Sequence, residues 1–167
     1  LNGIALQLIA PKGYIFNEYS LDTDTRTINA QIRVLGKPIS DTQSVSYYWF
    51  VQDSSVTISN QYYNKYGGQG WKCLNTFTTI STDPVVVSFN SASSSFTVKK
   101  SDANIKNTKY KCVAIYQGST VSKGFNIINN DAVYDIQIES DQGTEFVLDA
   151  GYPTLTCVVS GGSTTGF

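Results

Sequence analysis

Between residues 27 and 34 apolar and polar side chains alternate without a break: Ile28, Ala30, Ile32 and Val34 fall on one face, Asn29, Gln31 and Arg33 on the other. A period of two is the signature of a half-buried antiparallel strand. The same period governs residues 109–116, where Tyr110, Cys112, Ala114 and Tyr116 share a face. Residues 45–51, Val-Ser-Tyr-Tyr-Trp-Phe-Val, form an aromatic strand in which Trp49 is the candidate inward anchor. Shorter strands are expected over residues 3–9, 71–74, 85–89, 95–98 and 120–128. Residues 14–16 should continue the first of these on the other sheet, after the break at Pro11-Lys12-Gly13. Pro84 opens the 85–89 strand, and Gly118-Ser119 is read as a tight turn. Ser101 or Asp102 caps one helical turn running to Ile105. About eight or nine short strands with no long helical period predict an all-β chain.

The pairing of a Trp strand with a Tyr-x-Cys strand some sixty residues later is the core arrangement of an immunoglobulin-like β-sandwich, so Ala30, Trp49, Tyr110 and Cys112 are its expected structural core. Asn129-Asn130-Asp131 then reads as a boundary, because the opening pattern recurs beyond it. Leu6-Gln7-Leu8 returns as Ile136-Gln137-Ile138, Gly13-Tyr14-Ile15-Phe16 as Gly143-Thr144-Glu145-Phe146, and Ile28-Asn29-Ala30-Gln31-Ile32 as Leu155-Thr156-Cys157-Val158-Val159. A tandem repeat is expected, with residues 1–130 as one immunoglobulin-like domain and 131–167 as the N-terminal part of a second, incomplete one. With Leu1 at its start and no Met anywhere, the chain is expected to be a processed product or the ordered part of something longer.

Three widely spaced cysteines, Cys73, Cys112 and Cys157, make neither a disulfide framework nor a zinc pattern. They read as buried small hydrophobes, with a Cys73–Cys112 bridge left open because sequence does not set their separation. In the repeat, Cys157 falls where this architecture places the first half of its inter-sheet disulfide, and the first domain has Ala30 there. Cys112 is therefore expected to be an unbridged thiol packed near Ala30 and Trp49, its bulk balanced by a small partner.

The chemistry absent from the chain narrows the function. With no His there is no neutral-pH proton shuttle, no Ser-His or Cys-His nucleophile pair and no imidazole metal ligand. Thirteen acidic against twelve basic residues give no field to gather nucleic acid or an anionic membrane. No apolar run reaches the roughly 18–20 residues of a membrane span, and no signal-peptide pattern opens the sequence. Asp22 and Asp24 lack the Gly and Glu of an EF-hand loop and read as a solvated turn. An enzyme and a cofactor are not expected.

One stretch carries binding chemistry. Residues 60–71 hold Tyr62, Tyr63, Tyr66 and Trp71 around Gly67, Gly68 and Gly70. The glycines lack the Lys-Ser/Thr of a P-loop and lead into a strand, so they serve a sharp turn or positive φ. Exposed aromatic rings stack on sugar faces while Asn and Gln amides bond hydroxyls, making these four residues the candidate glycan- or receptor-binding set. The competing reading is that they cover a sheet edge and fill a core, with Trp71 on the same side as Cys73.

The series Tyr47-Tyr48-Trp49-Phe50, residues 67–75, residues 96–102 and Lys109-Tyr110-Lys111-Cys112-Val113-Ala114 resembles bacteriophage virion proteins (fibre, tail or capsid-decorating) with tandem immunoglobulin-like domains. The resemblance implies a non-enzymatic structural component of a phage particle, acting as a spacer and protein-interaction module. Its partners would be other virion proteins in a symmetric oligomer, with no nucleic acid and no membrane. The alternatives are a carbohydrate- or receptor-binding module that touches host cell-surface glycan during adsorption, and a bacterial surface adhesin with immunoglobulin-like repeats. The missing cysteine partner, the absence of Asp-x-Gly before Tyr110 and the lack of any Asn-x-Ser/Thr sequon separate the chain from disulfide-stabilised animal receptor domains.

Overall fold

The computed structural model describes residues 1–83, 85–103, 107–130, 135–140 and 155–160, the last two segments as backbone alone. The chain is all-β. One sheet is built on β3 (Thr25–Val34), which pairs with β1 (Ile4–Ile9) along one edge; β9 (Ser95–Lys99) and β4 (Lys37–Pro38) divide the other edge between them. A second sheet has the order β2 (Ile15–Phe16), β11 (Ser119–Asn129), β10 (Thr108–Tyr116), β5 (Ser46–Gln52), β6 (Trp71–Cys73). Its ladders are antiparallel except where β2 joins β11 in parallel. The expected crossing of residues 14–16 to the other sheet is therefore present. A separate hairpin pairs β7 (Phe77–Thr82) with β8 (Val85–Phe89).

Both sheets contribute to one core. Ile28, Ala30, Ile32 and Val98 from the first sheet pack with Trp49, Tyr110, Cys112, Ala114 and Ile127 from the second. The alternation read in residues 27–34 and 109–116 is what aims these residues inward. Trp49 is the pin between layers: its indole stacks on Phe96 of β9 at 5.0 Å and meets Phe125 of β11 edge-on at 6.2 Å. Its Nε1–H donates to Ser93 O at 2.9 Å, so the polar end of the ring is not left dry and unpaired. Cys112, directly opposite Trp49 in the ladder, is fully buried and free. Ala30 lies in the same core, and all four expected core residues are buried.

Local details differ from the sequence reading. The turn between β10 and β11 is Gln117-Gly118, both at positive φ (47° and 75°), one residue earlier than expected, and Ser119 already belongs to β11. This is the two-residue hairpin whose twist matches that of its strands. The turn expected at residues 101–105 is a 3-10 turn at Lys100–Asp102 with no side-chain cap; Ala103 N–H closes it onto Lys100 O. Ile105, Pro84 and residues 143–146 lie outside the described residues. Strands β4 and β7 were not anticipated.

Beyond residue 134, β12 (Asp135–Ser140) pairs antiparallel with β13 (Leu155–Ser160). In the first sheet Leu6 faces Ile32 and Leu8 faces Ala30. The positions aligned with them in the sequence pair in the same way: Ile136 faces Val159, and Ile138 faces Cys157. A slip of one residue would exchange the two faces of each strand, so agreement in register is more demanding than agreement in strand content.

Candidate functional site: an aromatic and lysine face

The outer face of the second sheet is not bare. Alternation sends Tyr48 and Phe50 of β5, Lys111 and Val113 of β10, and Trp71 and Cys73 of β6 away from the main core. Phe50, Cys73 and Val113 are nevertheless buried, forming a second, smaller core with Tyr48, Tyr66, Trp71 and Phe89. Residues 53–70 fold back over this face. Asp53 N–H donates to Gly70 O (2.9 Å) and Gly70 N–H to Val56 O (2.8 Å), closing the loop on itself, while Val56 is driven inside at 1% exposure.

Within the loop, asparagines space the tyrosines. Asn60 Oδ1 accepts from Tyr62 N–H and Asn64 Oδ1 from Tyr66 N–H, both at 2.9 Å, side-chain turns that Asn favours. Cys73 N–H donates to Tyr62 O at 3.0 Å and ties the loop to β6. Gly68 and Gly70 have φ near 80° (78° and 82°), as the sequence suggested. Gly67 serves a different purpose: a Cβ there would collide with the Phe50 ring, so only glycine lets the backbone rest on that aromatic.

Lysines cover the rings. The Lys111 ammonium sits 4.2 Å from the Trp71 ring centre and 5.6 Å from that of Phe50, and donates to Gly67 O at 2.7 Å. Burial, and then the neighbouring charge of Lys109, lower its pKa. Lys72 lies 4.4 Å from the Tyr62 ring and Lys65 5.1 Å from that of Tyr66. These are cation–π contacts, each worth about 0.5–2 kcal/mol.

The four candidate binding residues thus separate into two pairs. Trp71 packs with Cys73 under Lys111, and Tyr62 is held between Lys72 and the edge of Phe77 (6.0 Å). Tyr63 and Tyr66 line a cleft of about 400 Å³ with Tyr48, Asn64, Lys65 and β8 residues 87–89. Tyr66 is braced there by Tyr48, ring centres 5.2 Å apart. The sequence singled out the aromatics; it did not single out Lys65, Lys72 and Lys111, whose placement opposite them depends on how the loop folds back.

Among the described residues, no group of three or more His, Cys, Asp or Glu side chains gathers where a metal ion could be held. No helix among them is long and apolar enough to cross a membrane. No protein-family model, curated protein or solved structure matches the chain.

Proposed function

We propose that this chain is a non-enzymatic structural module: an immunoglobulin-like sandwich over residues 1–130, followed by the start of a second, serving as spacer and protein-interaction element in a phage particle. The observation that carries the modular reading is the shared register of β1–β3 and β12–β13. Repeating one strand pairing along a chain is how arrays of similar beads are built. The immunoglobulin-like assignment is supported by the strand order of the second sheet, by parallel β2–β11 pairing and by the indole packed against Cys112. The virion setting is carried by the sequence resemblance. Antibodies against residues 1–130, used as a gold label on cultures of the source, should decorate phage particles. Label confined to bacterial cell walls would favour the adhesin reading instead.

A second reading, recognition of host carbohydrate during adsorption, is favoured by the paired tyrosines of the Tyr63/Tyr66 cleft. Binding to host cell-wall glycan that is lost in Tyr63→Ala and Tyr66→Ala would support it; no binding to such glycans would end it.

A further inference from the structure

On the opposite flank of the sandwich, the edge of β3 is interrupted. Its ladder with β9 ends where Ala30 N–H donates to Ser94 O at 2.8 Å. Bonding on that side resumes where Ile39 N–H reaches Ile32 O at 3.2 Å. In this gap lies a cleft of about 520 Å³, within the range of small-ligand sites.

Its floor is apolar, supplied by Ala30, Ile32 and Val45, all buried. Tyr47 closes the floor at 6% exposure; its hydroxyl makes no hydrogen bond among the described residues and stays open to solvent. The rim is polar but holds no Asp, Glu, Lys or Arg. Asn29 Oδ1 accepts from the Ser95 hydroxyl (2.6 Å) and Gln31 Oε1 from the Arg33 guanidinium (3.1 Å) along the outer face of β3, at the lip of the cleft. Across the cleft, the side chains of Thr42, Gln43 and Ser94 make no hydrogen bond among the described residues, and each can both donate and accept.

We propose that this cleft is a binding site for a neutral carbohydrate. A rim without charge offers nothing to an anion or a cation, whereas amides and hydroxyls that donate and accept match a ring of sugar hydroxyls. The apolar floor suits the C–H face of the same ring, and a sugar hydroxyl can take the place of water at the Tyr47 hydroxyl. The site shares no residue with the Tyr63/Tyr66 cleft and does not rest on the virion reading.

The test is amide chemical-shift mapping on the ¹⁵N-labelled chain, titrated with glucose, galactose, mannose, N-acetylglucosamine and their β-linked dimers. At least one sugar should shift the amides of Thr42, Gln43, Ser93 and Ser94. Tyr47→Phe and Gln43→Ala, which remove one polar group each, should weaken binding about fivefold or more, while Tyr63→Ala leaves it unchanged. The proposal is overturned if no sugar in the panel shifts these amides, if the shifts fall at residues 63–66 instead, or if both variants bind like the parent.

Discussion

The backbone N–H of Trp49 donates to the side-chain Oδ1 of Asn75 at 3.0 Å, inside the protein. The other end of the same amide donates to Tyr47 O (2.8 Å) and Asn90 O (2.7 Å). Strand β6 has ended by this point, and Leu74 N–H makes the last main-chain bond to Trp49 O at 2.8 Å. Asn75 therefore continues the sheet with a side chain standing in for a peptide group, and holds the backbone of the residue whose indole joins the two layers.

Asn75→Ala leaves Trp49 N–H unpaired in a buried setting and should cost about 2–3 kcal/mol in denaturant unfolding. Asn75→Asp keeps the acceptor but loses both donated bonds, so it should also destabilise. A parent-like midpoint for either variant would show that the amide is replaceable by water.

Gly67→Ala forces a methyl group against the Phe50 ring. Overpacking of this kind costs about 1–3 kcal/mol, and here it should lift the 53–70 loop. Lys111→Met should act in the same direction by removing the bond to Gly67 O. Both variants should be cleaved faster within residues 53–70 by a protease, with the main sandwich left intact.

Burial pushes the Cys112 thiol up to about 12 and that of Cys73 to about 11, the latter against an opposing hydrogen bond at Asn75. Tyr47, Tyr48 and Tyr110 are raised by burial too. Each group holds its proton more tightly folded than unfolded, so its contribution is complete below the ordinary thiol value of 9.0 and falls as pH rises through the folded values. Unfolding free energy should decline between about pH 9 and 12. Below that window a thiol reagent should leave Cys73 and Cys112 unmodified until denaturant is added.

Ala30→Cys should form a disulfide with Cys112, since both side chains share the inter-sheet core. Closing that long loop would stabilise by about 4 kcal/mol. Two reactive thiols (Cys73 and Cys157) out of four in the denatured, unreduced variant, counted by mass spectrometry, with a raised midpoint, are the expected outcome; four would place Ala30 too far from Cys112.

Much of the framework was legible because alternation is a local signal. Ile28, Ala30 and Ile32, and then Tyr110, Cys112 and Ala114, announced both their strands and their inward faces. What stayed hidden depends on partners distant in the chain. Val113 reads as an outward residue yet is buried, because a loop that brings in Tyr66 from far earlier in the chain covers its face. Asn75 looks like an ordinary turn residue until β5 is placed beside it. Lys37-Pro38 is too short to read as a strand, and Phe77–Thr82 carries few apolar side chains. The candidate site was half visible: the tyrosines stood out, but the lysines that occupy Tyr62 and Trp71 did not. The polar cleft over Tyr47 draws on β3, residues 42–45 and residues 91–94, and no single stretch of sequence advertises it.

The modular reading meets its most direct test in cross-strand proton contacts, measured by NMR on the labelled chain. Contacts should pair Ile136 with Val159 and Ile138 with Cys157, just as they pair Leu6 with Ile32 and Leu8 with Ala30. A register displaced by one residue, or no pairing between residues 135–140 and 155–160, would contradict the restart of the fold.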